Sequence, residues 1–67
     1  MTKTEGRFRV EEALVRRLLR DHHLGRVPTE GDMRIELHRL GHDPKLVGKH
    51  IERAIMRAAE RLGAVPA

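Results

Sequence analysis

Leu40-Gly41-His42-Asp43-Pro44-Lys45-Leu46-Val47-Gly48-Lys49-His50-Ile51 places a helix stop and a helix start side by side. Glycine just past an apolar, helically spaced segment commonly takes the left-handed conformation that ends a helix. Asp43 then offers a side-chain oxygen to the next helix's free N–H groups. Pro44, at the first helical position, has no N–H to waste and a φ already set for helix. From that start an apolar row runs Val47, Ile51, Ile55, then Ala58, Ala59 and Leu62, positions that fall on one helix face. Beside it, at every fourth position, stand Lys45, Lys49, Arg53, Arg57 and Arg61, with only Glu52 and Glu60 to oppose them. The stretch therefore predicts a helix over 43–62 with an apolar core seam and a cationic ridge.

Two further Leu-Gly pairs, Leu24-Gly25 and Leu62-Gly63, punctuate the chain in the same way. Reading back from the first gives a helix over 9–24, with Val10, Ala13, Leu14, Val15, Leu18 and Leu19 at helical spacing. Glu12 stands four residues before Arg16, a favourable ion-pair order. Reading back from Gly41 gives a helix over 29–40 with Met33, Leu37 and Leu40 on one face. Thr29 is its expected N-cap and Asp32 its capping-box acid, while Pro28 keeps the linker extended. No segment alternates with period two long enough for a strand; Arg7 to Val10 is the nearest approach. The expected fold is all-α: a small three-helix domain over 9–63, a basic N-terminal arm over 1–8 and a short tail over 64–67.

With 67 residues the chain makes one domain, of a size that buries about 60% of its unfolded surface. Phe8 is its only aromatic residue, so the core must be aliphatic and thin. Helix one is wider on its apolar side than such a core requires, and a homodimer through that surplus is expected. Cysteine and serine are absent, which removes disulfides, thiolate metal sites and the two commonest covalent nucleophiles. Asparagine and glutamine are absent too. A GC-rich coding sequence is the favoured reading of that loss, ahead of avoidance of thermolabile side chains. His38 and His42 are four apart, but Gly41 ends the helix between them, and no metal site or cofactor is expected. The tripeptide Asp21-His22-His23 reads as an exposed helix end. No acid–base pair stands out, and an enzyme is not expected. No apolar run approaches the ~20 residues of a membrane span, and a cytoplasmic protein without a membrane partner is expected. The net charge of +4 favours an anionic partner.

Leu40 to Ile51 resembles the helix-turn-helix family of DNA-binding proteins. The family's turn glycine falls on Gly41, its buried β-branched residue six positions later on Val47, and a further core position on Ile51. Three positions depart from the pattern: Leu37 where a small residue is usual, His42 where an apolar one is usual, and Gly48 inside the recognition helix. The resemblance spans about residues 30–57 and implies a third helix lying in the major groove. It assigns the DNA-facing positions to Lys45, Gly48, Lys49, Glu52 and Arg53, with Arg57 and Arg61 near phosphates. Lys3, Arg7 and Arg9 would form a phosphate-contacting arm. With no Asn or Gln for adenine, direct readout would lean towards G·C pairs.

The implied function is that of a small double-stranded-DNA-binding protein, a transcriptional regulator or a phage- or plasmid-type accessory factor. The alternative is a helical protein-interaction module, such as an adaptor or an RNA polymerase-binding regulator, in which the charged row is only a solvated face. A ridge at four-residue spacing also drifts about 40° per step on a 3.6-residue helix. Its two ends therefore cannot meet one flat target.

Overall fold

The computed structural model describes residues 3–63, with side chains from residue 6 onward. The expected tail over 64–67, the first two residues of the expected arm and the side chain of Lys3 lie outside the described residues. The chain forms α1 (Lys3–His23), α2 (Glu30–Arg39), a single 3-10 turn (Pro44–Leu46) and α3 (Val47–Arg61), with no strand among the described residues. It is an all-α three-helix domain, and none of its described helices is long and apolar enough to cross a membrane.

Each stop works through its glycine. Gly25, Gly41 and Gly63 have φ of 74°, 86° and 73°, a region that costs an L side chain roughly 1–2 kcal/mol. At the middle stop the Gly41 N–H donates to the His38 carbonyl at 3.0 Å, and that of His42 to the Leu37 carbonyl at 2.8 Å. These bonds satisfy carbonyls that the end of α2 would leave open. The starts behave likewise. Thr29 Oγ1 accepts from the Asp32 N–H at 3.1 Å while Asp32 Oδ2 accepts from the Thr29 N–H at 2.9 Å, a reciprocal capping box. Asp43 Oδ1 accepts from the Lys45 N–H at 2.9 Å. The predicted helix over 43–62 is thus realised as a 3-10 turn running directly into α3.

Helix one begins six residues earlier than the apolar periodicity indicates. Residues Lys3 to Arg9 belong to α1 rather than to an extended arm. The glycine at position 6 makes the segment a poor helix by propensity. Its anchor is tertiary: the Phe8 ring lies 5.6 Å from the Arg57 guanidinium of α3, a cation–π contact that the sequence spacing does not reveal.

The buried apolar core is Val10, Ala13, Leu14, Val15, Met33, Leu37, Val47, Ala54 and Ala58, with Leu18, Leu19, Leu46 and Ile51 packed against it. Two expectations change here. The surplus apolar face expected on helix one is mostly used within the domain, because Leu14 and Val15 are fully buried and Leu18 and Leu19, partly buried, pack against the core. The seam of α3 is Val47, His50, Ala54 and Ala58 rather than the row through Ile55 and Leu62, which are 50% and 46% exposed. α3 turns the small side chains of Ala54 and Ala58 inward.

Gly48 projects into open space, with nothing within 4 Å of where a Cβ would stand. It therefore does not serve close packing against α2. Gly48→Ala should stabilise the domain by about 0.5–1 kcal/mol through helix propensity. Gly41→Ala should destabilise it by about 1–2 kcal/mol, because its φ is left-handed. Urea midpoints of the two variants, moving in opposite directions from wild type, check this pair.

Candidate nucleic-acid interface

The cationic row on α3 divides into two parts. Lys45 and Lys49 are exposed, and neither has a carboxylate within 4.0 Å among the described residues. Exposed Gly48 and Glu52 accompany them. Each step of four residues rotates the row by about 40°, so that by its middle it has turned towards α1. There Arg53 Nη1 stands 3.7 Å and Arg57 Nη2 3.5 Å from the Glu11 carboxylate. Arg61 closes the row with two bonds to Glu12, at 3.0 and 2.9 Å. That contact, and not the expected pairing with Arg16, takes the Glu12 carboxylate. It holds the Glu12 pKa below the usual glutamate range through hydrogen bonding and charge from Arg61.

Glu11 is only 3% exposed. Besides the two arginines it faces His50, whose Nδ1 lies 3.6 Å from Oε1. Neither that Nδ1 nor Glu11 Oε1 has a hydrogen-bond partner. The carboxylate is therefore compensated by nearby positive charge more than by short bonds, which binds Arg53 and Arg57 to the neighbourhood of α1. Arg57 is held again by the face of Phe8. Of the positions assigned by the helix-turn-helix resemblance, Lys45, Gly48, Lys49 and Glu52 stand together on the outer face of α3. Arg53 sits at its margin with 66% of its side chain exposed, and Arg57 has turned away. Arg7 and Arg9 are exposed on the helical backbone of α1.

A second ionic cluster orients the turn. Arg17 of α1 donates to Asp21 at 3.0 Å and to Glu36 of α2 at 3.1 Å, and Arg39 donates to the other Glu36 oxygen. Asp21 and Glu36 are both buried. This bridge links α1 to the last turn of α2 and so fixes the direction from which α3 begins. Burial of Glu11, Glu36 and His50 is no part of the sequence expectation, and the expected exposed end at Asp21-His22-His23 holds for the two histidines but not for Asp21, which is 3% exposed because Arg17 draws it inward. One signal was present for the two glutamates: Glu11 falls in register with Leu14, Val15 and Leu18, and Glu36 with Met33 and Leu40.

Among the described residues no three His, Asp or Glu side chains gather as a metal ion would require. The narrowest extent of the molecule is 15 Å, little more than one helix diameter. Its concavities are accordingly open grooves. Compared with known protein families, curated proteins and solved structures, the chain matches none.

The Glu36 pKa is lowered, first by the hydrogen bond from Arg39 and then by that from Arg17. A carboxylate whose folded pKa is depressed contributes stability that is present above its unfolded value, about 4.3, and is lost as pH falls through the lower folded value. Stability should therefore decline on acidification below about pH 4.3. Glu36→Gln should be less stable at neutral pH and show a shallower acid limb. Thermal melts of both proteins across an acid series measure this.

Proposed function

We propose that this chain is a small double-stranded-DNA-binding domain, of transcription-regulator or accessory-factor type, that addresses DNA with the first half of α3. The observation that carries the reading is the selective freedom of Lys45 and Lys49. Arg57 and Arg61 are committed to α1 and Arg53 leans towards it, whereas these two stand unpaired where a helix emerges from the Gly41 turn. Val47 is fully buried beneath them and fixes the roll of this segment. Lys49 and Lys45 supply phosphate or guanine contacts, Glu52 faces cytosine N4, and Arg53 reaches in from the margin. Arg57 belongs to the fold instead.

Self-association is part of the same proposal, with its surface on α3 and not on α1. Gly48, Ile51, Ile55, Ala59 and Leu62 fall on one flank of α3, and Ile55 and Leu62 are about half exposed. Two copies of this flank laid antiparallel about Ile55 set Leu62 opposite Gly48 and Ile51 opposite Ala59. Each large side chain then meets a small one, as a two-fold contact demands. The paired Lys45 residues would lie about 30 Å apart along the axis, close to the ~34–36 Å of one DNA turn. The same exposed flank favours the second reading, a protein-interaction module whose apolar stripe docks a different partner.

Duplex binding measured by fluorescence anisotropy across a salt series tests the first reading. Lys45→Ala and Lys49→Ala should each lower the salt slope by about one unit. Arg61→Ala, which releases Glu12, should lower stability. Absence of salt-dependent retention of any duplex at low ionic strength would leave the interaction module standing instead. For self-association, equilibrium sedimentation should report a dimer for the wild type and a monomer for Ile55→Glu. A wild-type monomer at high micromolar concentration refutes the dimer.

A further inference from the structure

We infer that the outer face of α1 is a second phosphate-binding surface, one that grips the phosphodiester backbone of DNA through Arg9, Arg16 and Arg20. These positions are seven and four residues apart, so they form a single stripe on α1. At 1.5 Å per residue the guanidinium roots are spaced about 10 Å and 6 Å along the helix axis. All three side chains are exposed. They border an open groove of about 530 Å³ that continues across Ala13 to Arg39, Leu40 and His42.

The charge of this groove is unbalanced for a specific reason. Its two glutamates are already occupied, Glu12 by Arg61 and Glu36 by Arg17 and Arg39. Arg9 and Arg16 have no carboxylate within 4.0 Å among the described residues. Arg20 has only Asp21 at 3.8 Å, and that carboxylate bonds more closely to Arg17, at 3.0 Å. Arg9 and Arg16 thus have no anion within reach, and Arg20, in line with them, shares Asp21 with Arg17. A linear, repeating anion fits a linear row, and planar guanidinium groups match phosphate oxygens two bonds at a time. An acidic protein segment is disfavoured by the floor: apart from Ala13, the apolar lining is confined to Phe8 and Leu40, and Phe8 carries Arg57 on its ring. Because α1 turns Val10 and Leu14 inward and the arginines outward, this stripe belongs to a different face from Lys45 and Lys49 on α3. The inference takes its ligand from the DNA reading above but rests on other residues.

The test uses a random-sequence duplex of about 20 base pairs, whose protein contacts are expected to be mainly with phosphates. Wild type is compared with a Lys45→Ala/Lys49→Ala variant, an Arg9→Ala/Arg16→Ala/Arg20→Ala variant and the combination, each first shown by circular dichroism to be folded. The lysine variant should retain binding with a salt slope near three, one unit per arginine, and the combined variant should lose it. Should the lysine variant retain nothing while the arginine variant binds as wild type, the α1 surface is refuted and the α3 reading stands. Loss of binding in the arginine variant alone, with the lysine variant unaffected, would support the α1 surface and refute α3. If the arginine substitutions abolish capture of poly-glutamate but leave the DNA salt slope unchanged, the row serves an acidic protein segment and the inference is overturned.

Discussion

The carboxylate of Glu11 sets the arrangement of this domain. It is buried on α1 beneath the flank of α3, beside an aliphatic core that contains no aromatic side chain, and it faces His50, Arg53 and Arg57. Placing a carboxylate out of water costs several kcal/mol unless charge is brought to it. A thin core of Leu, Val, Met and Ala side chains specifies the roll of a helix weakly, since many rotations bury similar apolar area. Glu11 removes that freedom: only a roll that presents the arginine flank to α1 compensates its charge. Buried ionic groups are weak contributors to net stability, and their best-attested use is in fixing register. Here the register they fix decides which face of α3 meets solvent.

That choice explains which parts of the structure were legible in the sequence. The stops at Gly25, Gly41 and Gly63, the capping box of Thr29 and Asp32, and the Asp43-Pro44 start all depend on interactions spanning a few residues. Such features are written locally, and the all-α three-helix architecture followed from them. The inner and outer faces of α3 were not written locally. Its hydrophobic periodicity admits two adjacent seams, one through Ile55 and Leu62 and the other through Ala54 and Ala58. Partners on α1 decide between them, among them Glu12, which bonds Arg61 from 49 positions away. The early start of α1 was hidden for the same reason, as Phe8 finds Arg57 only after folding.

The candidate site shows the same division. Lys45 and Lys49 could be read from sequence because nothing distant claims them. Arg57 could not be judged, because a cation in a helical row looks identical whether its counter-charge lies in a ligand or on a neighbouring helix. Counting basic residues therefore overstates what α3 offers an anion. Subtracting the internally compensated side chains leaves the ridge with two free lysines and a marginal arginine.

The same subtraction applied to the whole surface moves attention to α1. Glu11 and Glu12 spend their charge on α3, and Asp21 and Glu36 spend theirs on Arg17 and Arg39. The acids that hold the helices together are thus drawn away from Arg9 and Arg16 and leave Arg20 only a share of Asp21. Internal ion pairing leaves the net charge as it was, but it determines where the uncompensated positive charge comes to rest. In this fold part of it stands on two outward faces, the first turns of α3 and the outer stripe of α1. The potential that an approaching polyanion meets is consequently a product of the fold's own ionic links, and loosening those links would redistribute it.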